Sequence, residues 1–84
     1  MNPAAAAILA LLAERAEGAS ICPSEAARRL AGPDGDWRAV MDRVHAAVDL
    51  MLDDGVISLS WKGRPMQKRR GPYRIARRQC VPEA

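Results

Sequence analysis

Apolar and polar residues alternate in two short runs late in the chain, 56–61 (VISLSW) and 73–76 (YRIA). In the first, Ile57, Leu59 and Trp61 fall on one face and Ser58 and Ser60 on the other. In the second, Tyr73 and Ile75 oppose Arg74, because side chains alternate across a strand. The two runs predict a β-hairpin with one core-seeking face. Its connection holds Lys62, Arg64, Lys68, Arg69 and Arg70 and no acid, so the hairpin carries a basic tip.

Upstream, the pattern changes to helical spacing. Asn2 and Pro3 form a helix start, a capping side chain followed by a residue whose missing N–H costs nothing in the first turn. Ile8, Leu11, Leu12 and the stem of Arg15 make a narrow apolar stripe, and Glu17 and Gly18 end the helix, with Gly18 as a left-handed cap. Residues 19–22 are too few for a helix and suit a brief strand added to the hairpin's edge. A second helix starts at Pro23, with Glu25 placed to reach back to the cap at Cys22. It turns Ala26, Ala27 and Leu30 inward and Arg28 and Arg29 outward, and stops before Gly32 and Pro33.

After this breaker-rich turn, Asp36 caps a third helix that runs from Trp37 to about Asp54. At 100° per residue, Trp37, Val40, Met41, Val44, Ala47, Val48, Met51 and Leu52 share its core side. Its outer side carries Arg38, Ala39, Asp42, Ala46, Asp49, Leu50 and Asp53, with Arg43 and His45 at the flanks. The order helix, short strand, helix, helix, strand, basic turn, strand predicts an α+β, mainly α domain. It is a winged helix-turn-helix of three helices with a small antiparallel sheet of two or three strands. The domain is expected to span 1–78, with 79–84 as a flexible C-terminal tail.

An apolar fraction of 49% in 84 residues is enough for one small, largely aliphatic core, because Phe is absent. Trp37, Trp61 and Tyr73 therefore carry unusual packing weight, and both tryptophans are expected on the core side. Charge is sharply segregated. Residues 1–61 hold five arginines and nine acids, a balance of −4, whereas 62–78 hold eight cations and no acid, +8. Such a division points to a polyanion at the basic end, against the plainer reading of a solvated loop.

Other chemistry finds little support. Cys22, Cys80 and His45 have no metal-ligand spacing, so no metal is expected. There is no nucleophile and base at a recognised spacing and no Gly-rich phosphate loop, so neither an enzyme, a cofactor nor a small-molecule substrate is implied. No run approaches the roughly 20 apolar residues of a membrane span. The Ala-rich start lacks the preceding basic residues of a signal segment, so a cytoplasmic, membrane-free protein is expected. Cys22 reads as a small buried hydrophobe rather than a redox thiol, and no disulfide to Cys80 is expected.

Four blocks, ICPSEAARRL at 21–30, DWRAVMDRV at 36–44, GVISLSWKGRP at 55–65 and RGPYRI at 70–75, resemble a family of small bacterial winged-helix domains of unknown function. Members of that family are sometimes labelled S-adenosylmethionine tRNA ribosyltransferases, an activity that 84 residues are too few to hold. The resemblance implies the fold and no activity. This chain departs from it in a more basic 66–70 segment and in His45, where an arginine is expected.

The expected partner is double-stranded DNA, contacted mainly through its backbone. Lys62, Arg64, Lys68, Arg69, Arg70 and Arg74 would supply charge-assisted bonds to phosphate, with Arg38 and Arg43 from the third helix. Asp42, Asp49 and Asp53 on that helix disfavour deep base reading, since only an occasional Asp accepts from a cytosine. The alternative is a protein-docking or homodimerisation module without nucleic-acid binding, because a chain this small gains stability by associating.

Overall fold

The computed structural model describes residues 2–78. Three helices pack on one face of a four-stranded antiparallel sheet. In chain order these are α1 (Pro3–Glu14), β1 (Ser20–Ile21), α2 (Pro23–Ala31), a 3-10 turn (Trp37–Val40), α3 (Met41–Asp53), β2 (Ile57–Trp61), β3 (Arg64–Met66) and β4 (Arg74–Arg77). The strands lie in the order β1-β4-β2-β3. The expected tail at 79–84, and Cys80 within it, lie outside the described residues.

The helix starts follow from local chemistry. Asn2 Oδ1 accepts the Ala4 N–H at 2.8 Å, and Pro3 occupies the first turn. At α2 the Glu25 carboxylate reaches back to accept the Cys22 N–H at 2.7 Å. Burial tends to raise the carboxyl's pKa, but this bond and the neighbouring Arg15 outweigh it and hold Glu25 below the ordinary carboxylate value. Asp36 Oδ1 accepts the Arg38 N–H at 3.1 Å, and the first turn after it is wound as a 3-10 helix before α3 proper begins, as is common at helix N-termini.

α1 ends earlier than its sequence suggests. Glu14 is its last residue, Arg15 is extended, and Gly18 takes its left-handed φ in the following turn rather than as the helix cap. Arg15 accordingly leaves the apolar stripe and pairs with Glu25 at 2.8 Å.

One core holds these elements together. Ile8, Leu11 and Leu12 of α1, Ala26 and Ala27 of α2, and Val44, Ala47, Val48 and Met51 of α3 close on Ile21, Ile57, Leu59, Tyr73 and Ile75 of the sheet side. Trp37, Val40, Met41 and Leu52 are half-buried at its margin. The small alanines of α2 let that helix approach closely, and the turn after it is tight. A Cβ on Gly35 would fall 2.1 Å from the Ala31 carbonyl oxygen, so only glycine fits there.

The sheet has one strand more than expected. Instead of a long basic tip between two strands, the chain reverses at once after Trp61 through Lys62 and Gly63, with φ of 52° and 79°. Two successive left-handed residues match the handedness that a tight hairpin requires. Arg64, Pro65 and Met66 then pair with Trp61, Ser60 and Leu59 as β3. The chain next crosses to β4 on the opposite side of β2, where Leu59 faces Ile75 and Ser60 faces Arg74. Pro65 hides this strand from sequence reading, yet an edge strand tolerates proline because one side of it has no neighbour to bond. β1 pairs with β4, Ile21 opposite Ile75, which is the expected added edge.

Candidate nucleic-acid interface

The basic residues that the sequence groups together separate into three environments. Lys62 sits in the β2–β3 turn, Arg64 on β3, and Lys68 and Arg70 in the crossing loop, all exposed. None of these four has an acidic partner among the described residues. Arg64 lies directly across from Trp61 on the same face of the hairpin.

Arg69 behaves differently. Its Nε and Nη2 donate to Asp49 Oδ1 and Oδ2 of α3 at 3.1 and 3.2 Å, a two-pronged pair that ties the crossing loop to the outer face of the helix. The bond to Asp49 raises the Arg69 pKa further above its already high ordinary value. Arg69 is thus shared with a carboxylate rather than free at a tip.

Arg74 is held by hydrogen bonds within the sheet. It lies half-buried on the sheet face away from the helices, where Nε donates to Ser20 Oγ at 2.7 Å, Nη2 to the Ser20 carbonyl at 3.0 Å, and Nη1 to Cys22 Sγ at 2.9 Å. This guanidinium locks β4 to β1 and to the start of α2. Three of its five N–H donors are used in this way, which gives Arg74 a structural role beside the phosphate contact expected of it. Cys22, expected to be buried, is half-buried with its thiol against this guanidinium.

On α3, Arg43 is exposed, and Asp42, Asp49 and Asp53 share the outer surface as the helical spacing requires. His45 is half-buried and engaged on one side. Its Nδ1 lies 2.6 Å from the Tyr73 hydroxyl, the two rings tilted at 56°. Burial, aided by Arg69, lowers the His45 pKa from its ordinary value against the opposing pull of Asp42 and Asp49. Burial also pushes Tyr73 up to about 12, with Asp49 adding to the rise and Arg69 opposing it. Both groups are therefore neutral near pH 7, and the phenol donates to Nδ1 when the ring proton is on Nε2.

Neither tryptophan is fully in the core. Trp61 ends β2 on the face of Ile57 and Leu59, yet it is 38% exposed where they are buried. Trp37 is half-buried, and its ring carries two guanidinium groups, with Arg38 Cζ at 4.4 Å and Arg28 Cζ at 4.8 Å from the centroid. Arg38 was legible as an outward residue near the start of the helix. Arg28 reads in the sequence only as an outward residue of α2, although an outward arginine there and a tryptophan just past a short breaker turn are a detectable pair.

Among the described residues no three His, Cys, Asp or Glu side chains gather as metal ligands, and no helix is long and apolar enough to cross a membrane. No curated protein matches the chain. The family model described as protein of unknown function (DUF3253) matches residues 1–78, and the chain belongs to that family.

Proposed function

We propose that this chain is a winged-helix domain that binds double-stranded DNA mainly through the phosphate backbone. The β2–β3 hairpin and the loop that follows it form the wing. The observation that carries the reading is the set Lys62, Arg64, Lys68 and Arg70, exposed together and without a carboxylate partner among the described residues. Solvated cations in this arrangement release counterions when they meet phosphate, which favours binding at low salt. Asp42, Asp49 and Asp53 keep the body of α3 from close approach to a polyanion, so Arg43 and Arg38 add contacts rather than a base code. A cytoplasmic location suits such a role.

The test is fluorescence anisotropy of a labelled duplex titrated with salt. The four wing contacts contribute about −3.6 to the log-log slope, from roughly −0.9 each. Changing Lys62, Arg64, Lys68 and Arg70 together to Ala is expected to flatten most of that slope. Equal affinity and equal slope in the two proteins would refute the reading.

A second reading, a protein-docking module, is favoured by Leu50, which is 60% exposed on the outer face of α3. A stable dimer in sedimentation that dissociates on Leu50→Glu and ignores added DNA would support it instead.

A further inference from the structure

The stack of Arg28, Trp37 and Arg38 lies apart from the wing in the sequence and is built on different elements. Arg28 projects from the outer side of α2 and Arg38 from the 3-10 turn that leads into α3. The Trp37 ring between these elements packs its inner part against the core. From the two centroid distances, the guanidinium carbons can be no more than about 9 Å apart. Neither group has a carboxylate partner among the described residues, and Asp36 spends Oδ1 on the Arg38 backbone N–H.

We infer that Arg28 and Arg38, held by Trp37, form a second phosphate-binding site for the nucleic-acid backbone, separate from the wing. Two like charges gathered on one ring repel each other, and an anion between or across them removes that cost. A guanidinium over an aromatic face keeps its in-plane N–H groups pointing outward, where they can donate in pairs to phosphate oxygens. The ring fixes side chains that would otherwise lose rotamer freedom on binding, so the site is partly preorganised. Successive phosphates on one strand advance by only ~3.4 Å along the axis, so two cations this close can address neighbouring phosphates. The inference rests on the nucleic-acid reading above and extends it to a surface that α2 shares.

The experiment compares four proteins on one labelled DNA duplex by salt-titrated anisotropy: wild type, Arg28→Ala with Arg38→Ala, the wing variant in which Lys62, Arg64, Lys68 and Arg70 are all Ala, and Trp37→Leu. Both arginines are exposed, so the double variant is expected to fold, which thermal unfolding verifies. Its salt slope should become shallower by about 1.8, two contacts at roughly 0.9 each. Trp37→Leu retains both charges, so it should weaken binding about fivefold through lost preorganisation while keeping most of the slope. A folded double variant with the wild-type slope overturns the inference, whatever the wing variant does. A shallower slope in the double variant beside an unaffected wing variant supports this site and refutes the wing. A wild-type chain that ignores the duplex overturns both.

Discussion

Arg64 and Arg74 approach β2 from opposite sides, one across from Trp61 and the other across from Ser60. They are the same residue type at almost the same height on the sheet, yet Arg74 makes three hydrogen bonds and Arg64 makes none within the described chain. The difference lies in what stands beyond each strand. β4 is followed outward by β1 and the start of α2, which offer a carbonyl, a hydroxyl and a thiol. β3 is the edge of the sheet, with no further strand past it among the described residues. A guanidinium inside a sheet becomes a brace, whereas one on its rim stays available. Counting cations along the chain therefore overstates the number that can meet a ligand.

The strongest way to test the contrast is along β2 itself. Leu59 and Trp61 share a face two residues apart, but only Leu59 is buried. Leu59→Ala is expected to cost about 3 kcal/mol through lost burial and a cavity. Trp61→Ala should cost less than about 1 kcal/mol in denaturant unfolding. Comparable losses would mean that the tip is packed after all. The next effect belongs to the arginines. Arg74→Ala removes three bonds at a half-buried position and should destabilise by about 2 kcal/mol, whereas Arg64→Ala should stay within about 0.5 kcal/mol. In DNA titrations the order reverses, with Arg64→Ala losing roughly 0.9 of slope and a folded Arg74→Lys protein losing none.

The pH dependence separates the two sides again, because the His45–Tyr73 pair lies at the start of β4. Tyr73 is raised from 10.0 to about 12, so its contribution is complete below pH 10 and declines as pH rises through 10 toward 12. The size is on the order of 2 kcal/mol. His45 is lowered from 6.5, so its contribution is complete above pH 6.5 and is lost as pH falls through the folded-state value. Stability should form a plateau between these limits. Tyr73→Phe should remove the alkaline decline, as followed by thermal unfolding across pH. Persistence of that decline would assign it to another group.

The smallest effect on folding comes from Asp49→Asn. Its pair with Arg69 is exposed and worth less than about 0.5 kcal/mol. Releasing Arg69 should nevertheless steepen the salt slope of DNA binding by roughly 0.9. An unchanged slope would show that the crossing loop keeps Arg69 away from the ligand for some reason other than Asp49.

What was legible in the sequence was short in range. The caps at Asn2, Cys22 with Glu25, and Asp36 depend on atoms within three residues, and the core side of α3 depends on periodicity alone. What was hidden was long in range or contrary to propensity. Arg74 finds Ser20 across 54 residues and Arg69 finds Asp49 across 20, distances over which charge patterning carries no information about pairing. β3 was concealed by Pro65, and the exposure of Trp61 depends on which elements reach the end of β2, which no local pattern encodes.

Lys62 is the only non-glycine residue with positive φ among those described. An L-residue held there stores roughly 1–2 kcal/mol, which Asn or Gly would largely relieve. Position 62 is therefore where hardening the fold and preserving the positive charge of the β2–β3 turn pull in opposite directions. A screen for thermostable variants should drift toward Asn or Gly at this apex, and a screen for DNA retention should hold the lysine in place.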